Sequence, residues 1–106
     1  MIILIQARFS STRLKGKVLK EIAGKVLIDW ILDRLEDSEL NLPVAVITSK
    51  DNSDDAIYNH CRKRKTLCFR GELENVISRY IDACSYFNHS EFVRICADSP
   101  LIDPVI

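Results

Sequence analysis

Ile2-Ile3-Leu4-Ile5-Gln6-Ala7-Arg8-Phe9-Ser10-Ser11-Thr12-Arg13-Leu14-Lys15-Gly16-Lys17 opens the chain and decides its fold. The run from Ile2 to Gln6 is almost continuously apolar, the pattern of a strand buried on both faces. Such a strand belongs inside a sheet covered by helices. The residues after it have the opposite chemistry. Together with Lys20 they bring five cations (Arg8, Arg13, Lys15, Lys17, Lys20) and three consecutive hydroxyls, and the first acid is Glu21. Over all 106 residues, 15 Lys and Arg balance 15 Asp and Glu, so this positive charge is a local feature. A cationic, hydroxyl-rich loop at the carboxyl end of a buried strand suits a polyanion, and a nucleotide triphosphate is the expected one. Gly16 lets the backbone approach such a ligand closely. The loop is not a Walker P-loop, because Ser11 stands where that motif needs glycine and Val18 where it needs Ser or Thr.

Outward from this stretch, helix and strand patterns alternate. Leu27, Ile28, Ile31, Leu32 and Leu35 fall at helical spacing, with Asp29, Asp33, Arg34 and Glu36 opposite. Pro43 to Thr48 reads as a second buried strand. Asn52 or Ser53 is expected to cap the next helix, with Asp54 and Asp55 in its first turn, where acids suit the helix dipole. The basic run Arg62 to Lys65 closes that helix. Thr66 to Phe69 makes a third strand. Leu73, Val76, Ile77, Tyr80, Ile81, Cys84 and Phe87 then recur at helical spacing, and Glu91 to Cys96 is a fourth strand. The order β-α-β-α-β-α-β predicts an α/β fold, a three-layer αβα arrangement around a mainly parallel sheet with right-handed crossovers. Four polar strand ends (Gln6 to Ser11, Thr48 to Lys50, Arg70 to Glu72, Ala97 to Ser99) are placed where such sheets take ligands.

Composition narrows the alternatives. A chain that is 47% hydrophobic and 28% charged is an ordinary globular domain. Zero net charge argues against a nucleic-acid coat or a membrane-surface protein. No apolar run approaches the ~20 residues of a membrane span. The apolar amino terminus is too short for a signal peptide and has no basic residue before it, so a cytoplasmic location is expected. Cys61, Cys68, Cys84 and Cys96 contain no C-x-x-C pair, and reduced core thiols are expected rather than a zinc site or a disulfide framework. The acidic stretch from Asp51 is not an EF-hand loop, because Ala56 and Arg62 occupy the positions of its glycine and its last glutamate. Trp30 and the aromatic residues of the third helix are assigned to the core. Asp98 lies just past the fourth strand. With Ser99 it suits a helix cap before Pro100, and equally a lone carboxylate that holds Mg²⁺ against nucleotide phosphates.

Ile5-Gln6-Ala7-Arg8, Ser11-Thr12-Arg13-Leu14, Gly16-Lys17-Val18-Leu19, Phe69-Arg70-Gly71, Glu74-Asn75-Val76, Arg79-Tyr80 and Arg94 through Ile102 follow one another in this chain. In that order and spacing they resemble the cytidylyltransferases that activate acidic sugars. The middle motifs point more narrowly to the spore-coat polysaccharide synthesis group, with the acylneuraminate and 3-deoxy-manno-octulosonate cytidylyltransferases as its relatives. The resemblance implies a nucleotide-diphospho-sugar transferase fold of the glycosyltransferase-A type. It implies a reaction of CTP with a sugar acid to give CMP-sugar and pyrophosphate, for surface polysaccharide biosynthesis. By resemblance Arg8 and Lys17 are catalytic, and Ala7, Arg8, Ser10, Ser11, Arg13 and Lys17 surround the triphosphate. Thr48, Arg70, Asn75 and Arg79 match positions around the nucleotide, and Asp98 matches the ligand of Mg²⁺, the one cofactor implied. Lys15 stands where the family has proline.

The family is about twice this length, so residues 1–106 are expected to be the nucleotide-binding half of a cytidylyltransferase domain, truncated before the acceptor pocket. A sheet cut there leaves an edge uncovered, and a homodimer is the expected form. The alternative reading is a catalytically inactive, truncated nucleotide-binding or assembly module.

Overall fold

The computed structural model describes residues 1–9, 19–38, 41–72 and 75–96. In chain order the elements are β1 (Ile2–Gln6), β2 (Glu21–Ile22), β3 (Lys25–Val26), α1 (Leu27–Glu36), β4 (Val44–Ser49), a 3-10 turn (Asn52–Asp54), α2 (Asp55–Arg64), β5 (Leu67–Gly71), α3 (Val76–Tyr86) and β6 (Phe92–Cys96). Four of the strands form one sheet in the order β5-β4-β1-β6, with every neighbouring pair parallel. This is the mainly parallel α/β sheet expected from the alternating pattern.

β1 is apolar from Ile2 to Ile5 because it faces a helical layer on each side. Ile3, Ile5 and Ala7 pack with Ile28, Ile31 and Leu32 of α1 and with Ile57 and Cys61 of α2. Ile2 and Leu4 pack against Tyr80, Ala83 and Cys84 of α3, on the opposite face. The alternation of strand side chains thus divides one strand between two cores. The path β1-β4-β5 runs outward in one direction, and β6 then returns to the far side of β1. Crossovers of one hand place their helix on opposite faces when that direction reverses, which accounts for α3 standing apart from α1 and α2.

Several local expectations are corrected. A short antiparallel hairpin, β2-β3, precedes α1. Its turn places Ala23 and Gly24 at positive φ, 53° and 94°, the backbone of a tight primed turn. Strands of two residues are too short to leave a periodic signal. Trp30 is 38% exposed rather than core; its indole Nε1 donates to the Ile22 carbonyl at 2.6 Å, and Lys25 lies over its ring. Tyr86 is likewise exposed. The side-chain cap before α2 comes from Asp51, whose carboxylate accepts from the Ser53 amide at 3.0 Å. Neither Asn52 nor Ser53 supplies it.

The buried stripe of α3 is Arg79, Tyr80, Ala83 and Cys84. Ile77 and Ile81 are 72% and 59% exposed. Apolar residues occupy more than one flank of this helix, so periodicity alone does not say which flank meets the sheet. A charged residue on the buried flank, Arg79, is the one a hydrophobic pattern discards.

Arg79 fits because Gly71 has no side chain. A Cβ built on Gly71 would lie 2.6 Å from Arg79 Cγ and 3.4 Å from Arg79 Cα. Gly71→Ala is therefore expected to destabilise the fold by about 1–3 kcal/mol through overpacking. Urea unfolding of the two proteins measures it, and an unchanged midpoint would contradict the close approach.

Candidate functional site

The strand order reverses at β1 and β6. In open α/β sheets the crevice outside the carboxyl ends of strands at such a switch point is where ligands bind. Gln6 is in register with Cys96 on one side and with Ile47 on the other. The chain thus leaves β1 for the cationic stretch at the same end of the sheet where it leaves β6 towards Asp98. Ser10, Ser11, Arg13, Lys17 and Asp98 themselves lie outside the described residues, as does Leu73.

Ala7 and Arg8 are described. Ala7 is buried, and its amide donates to the Ile47 carbonyl at 2.9 Å, which carries the β1-β4 pairing one step past the strand. Arg8 then turns onto Asp54. The carboxylate of Asp54 is fully buried and accepts from Arg8 Nε and from the Ser49 hydroxyl. It also accepts from the Phe9 amide at 2.8 Å. One carboxylate therefore ties the end of β1 to the end of β4 and to the start of α2. Burial alone would raise the Asp54 carboxyl. The Phe9 amide, the Ser49 hydroxyl and the Arg8 guanidinium outweigh it and hold the group below the ordinary carboxylate range. Asp54 stands at the amino-terminal end of α2, where an acid is expected, but makes no cap bond to that helix; its carboxylate is taken by the two strand ends instead.

A second guanidinium stands behind the first. Arg79 is fully buried, and its Nε donates to the Glu72 carbonyl at 2.9 Å. Burial, and then the nearby charge of Arg8, push its pKa down, while Asp54 pulls it up. It remains a cation at any ordinary pH. The two guanidinia of Arg8 and Arg79 thus stand in the field of one buried carboxylate, Asp54.

Other predicted positions have visible structural work. Arg70 Nε donates to the Ser49 carbonyl at 2.8 Å. Its Nη2 reaches the Asp51 carbonyl at 2.9 Å and the Asp55 carboxylate at 2.8 Å. Its guanidinium also lies over the Tyr58 ring. Arg70 therefore braces the β4-α2 connection. Asn75 caps α3, its side-chain oxygen accepting from the Ser78 amide at 2.9 Å. Thr48 is fully buried at the end of β4, and its hydroxyl has no hydrogen-bond partner among the described residues. Buried hydroxyls are normally satisfied.

Asp54 is the residue that sequence patterns overlooked. The available signal was a cation expected at a strand end, which needs a partner, and a pair of acids one turn after the neighbouring strand. The basic run at the end of α2 behaves as expected, with Arg64 bridging Asp29, Asp33 and Glu36. Cys61, Cys68 and Cys84 are free thiols. Among the described residues no three His, Cys, Asp or Glu converge as a metal cluster, and no helix is long and apolar enough to cross a membrane.

Comparison with known proteins agrees with this frame. A family model described as Cytidylyltransferase matches residues 2–106. The spore coat polysaccharide biosynthesis protein SpsF of Bacillus subtilis is 34% identical over 98% of this chain and 45% of its own length. A 3-deoxy-manno-octulosonate cytidylyltransferase of Fusobacterium nucleatum is 33% identical over 94% of this chain and 40% of its own. The solved structure of a cytidylyltransferase from Leptospira borgpetersenii superposes with a TM-score of 0.89 at 37% identity, covering 98% of this chain and 44% of that one. The chain spans less than half the length of these relatives.

The lowered pKa of Asp54 has a signed consequence. Its stabilisation is fully present above the unfolded value of about 3.9 and is lost as pH falls through the lower folded value. Wild type should exceed Asp54→Asn in stability by its largest margin above about pH 4, and that margin should shrink as the pH is lowered further. Urea titrations of both proteins across this range measure the difference. Asp33, also held low by Lys25 and Arg64, contributes equally to both and cancels.

Proposed function

The chain belongs to the cytidylyltransferase family, and from that membership we propose that it forms the CTP-binding half of an enzyme that joins CTP to an acidic sugar. The products are CMP-sugar and pyrophosphate, in the service of surface polysaccharide synthesis. The observation that carries this reading is the position of Arg8: immediately past the central strand, at the switch point, and locked to a buried carboxylate. The names of the Bacillus and Fusobacterium relatives support the polysaccharide and sugar-acid classes.

A sugar hydroxyl attacks the α-phosphorus of CTP in line. A new phosphorus–oxygen bond forms, the bond to the bridging oxygen breaks, the hydroxyl proton is released and pyrophosphate departs. Charge accumulates on equatorial and leaving oxygens, so fixed cations are the appropriate catalysts. Arg8, Arg13 and Lys17 would hold the triphosphate, with Ser10, Ser11 and the Ala7 backbone along it. Thr48, Arg70, Asn75 and Arg79 would flank the nucleotide, Arg70 and Asn75 by fixing the loops around it.

Asp98 would hold Mg²⁺. The register of Cys96 with Gln6 brings β6 alongside β1 two residues before this carboxylate. A lone hard carboxylate suits an ion that takes its other ligands from phosphate and water. When bound, Mg²⁺ neutralises phosphate charge. We place the protein in the cytoplasm, a compartment that suits its free thiols. Unpaired outer edges on β5 and β6 among the described residues support a homodimer.

Pyrophosphate release by the full-length protein, assayed with CTP, GTP, ATP and UTP against a panel of acidic sugars, tests the reading. Turnover is expected with CTP and one sugar acid, and it should be lost when EDTA removes Mg²⁺. Lys17→Ala should lower it about a hundredfold. Turnover with GTP alone would sink the cytidylyl assignment. Mg²⁺-dependent CTP binding without turnover would favour the inactive nucleotide-binding module.

A further inference from the structure

We propose that Asp54 is a positioning residue for the triphosphate: its buried carboxylate fixes the guanidinium plane of Arg8 and the backbone at Phe9, where the cationic loop begins. This inference rests on the proposed role of Arg8 in holding CTP.

Three features separate Asp54 from an ordinary helix-start acid. It makes no cap bond to α2, whereas Asp51 caps the preceding 3-10 turn. Its carboxylate is engaged by three donors, from Arg8, Phe9 and Ser49, which come from the ends of two different strands. It is also fully buried. Taking a carboxylate out of water is costly, and apolar residues of similar volume commonly stabilise a fold as well or better. A buried carboxylate paired with a part-exposed guanidinium is therefore better explained by the geometry it imposes than by the stability it adds.

That geometry has a use. An arginine on an open loop holds its guanidinium in many rotamers, and ordering it on binding costs free energy. Binding Arg8 through Nε, together with the next amide, selects one orientation before the nucleotide arrives. The Ser49 hydroxyl does the same for the carboxylate. It donates to Asp54 while accepting from the Asp51 amide at 3.1 Å, so the acid is held from behind by the β4-α2 connection. Asn at this position would replace one acceptor oxygen with a donor, which cannot receive Nε and the Phe9 amide as the carboxylate does.

Calorimetric titration of MgCTP and of CMP into wild type, Asp54→Asn, Arg8→Ala and the double variant tests the proposal. Asp54→Asn should weaken CTP about tenfold to a hundredfold, the scale of a charge-assisted hydrogen bond, and CMP much less. In the Arg8→Ala background the same change should weaken CTP by a much smaller factor, because only the hold on the Phe9 amide then remains to be lost. Equal CTP affinity in wild type and Asp54→Asn overturns the proposal alone. So does an undiminished loss in the Arg8→Ala background, which would mark a merely structural role. Wild type that binds no CTP overturns the proposed function and this inference with it. If Asp54→Asn does not fold, Ser49→Ala replaces it; this variant keeps the Arg8–Asp54 pair, is expected to weaken CTP by a smaller factor, and counts against the proposal if CTP and CMP are weakened alike.

Discussion

β1 is the constraint on which the rest of the structure depends. It is paired in parallel on both edges and covered by helices on both faces. Ile2 through Ile5 are accordingly almost without solvent exposure. A strand enclosed on four sides has one free direction, along its own axis, and its carboxyl end is where the chain can present chemistry. The cationic stretch begins there. The two hydrophobic cores are thus the scaffold that sets where Arg8 and Phe9 leave the sheet, beside the crevice opened by the reversal of strand order between β1 and β6.

The polar part of the structure follows the same logic at smaller scale. Asp54 collects donors from Arg8, Phe9 and Ser49. Arg70 collects acceptors from Ser49, Asp51 and Asp55. Between them they tie the ends of β1, β4 and β5 and the start of α2 into one frame. Arg79 reaches the same region from the opposite helical layer and is admitted by the absence of a side chain at Gly71. Three arginines that a composition count would treat alike therefore differ in kind. Arg70 is a brace, Arg79 is a buried cation from the second layer, and Arg8 stands at the crevice.

Much of this was legible beforehand because it rests on local periodicity. Apolar runs from Ile2 and from Pro43 to Thr48 mark strands buried on both faces, and the i, i+3, i+4 spacing from Leu27 marks α1. The alternation of such segments admits few topologies other than a parallel sheet. The β2-β3 hairpin was not legible, since two residues per strand carry no period. The buried flank of α3 was not legible either, because it includes the charged Arg79 while Ile77 and Ile81 on the exposed flank are apolar.

The amino-acid sequence by itself determined the fold class, the family and the loop in which the cations gather. All three are properties of residues near one another along the chain. Only the tertiary structure decided what holds Arg8. Arg8 and Asp54 are separated by 46 positions, and no local pattern links them. Their pairing exists because parallel strands bring the carboxyl ends of β1 and β4 side by side, where a buried carboxylate must find donors or lose its charge.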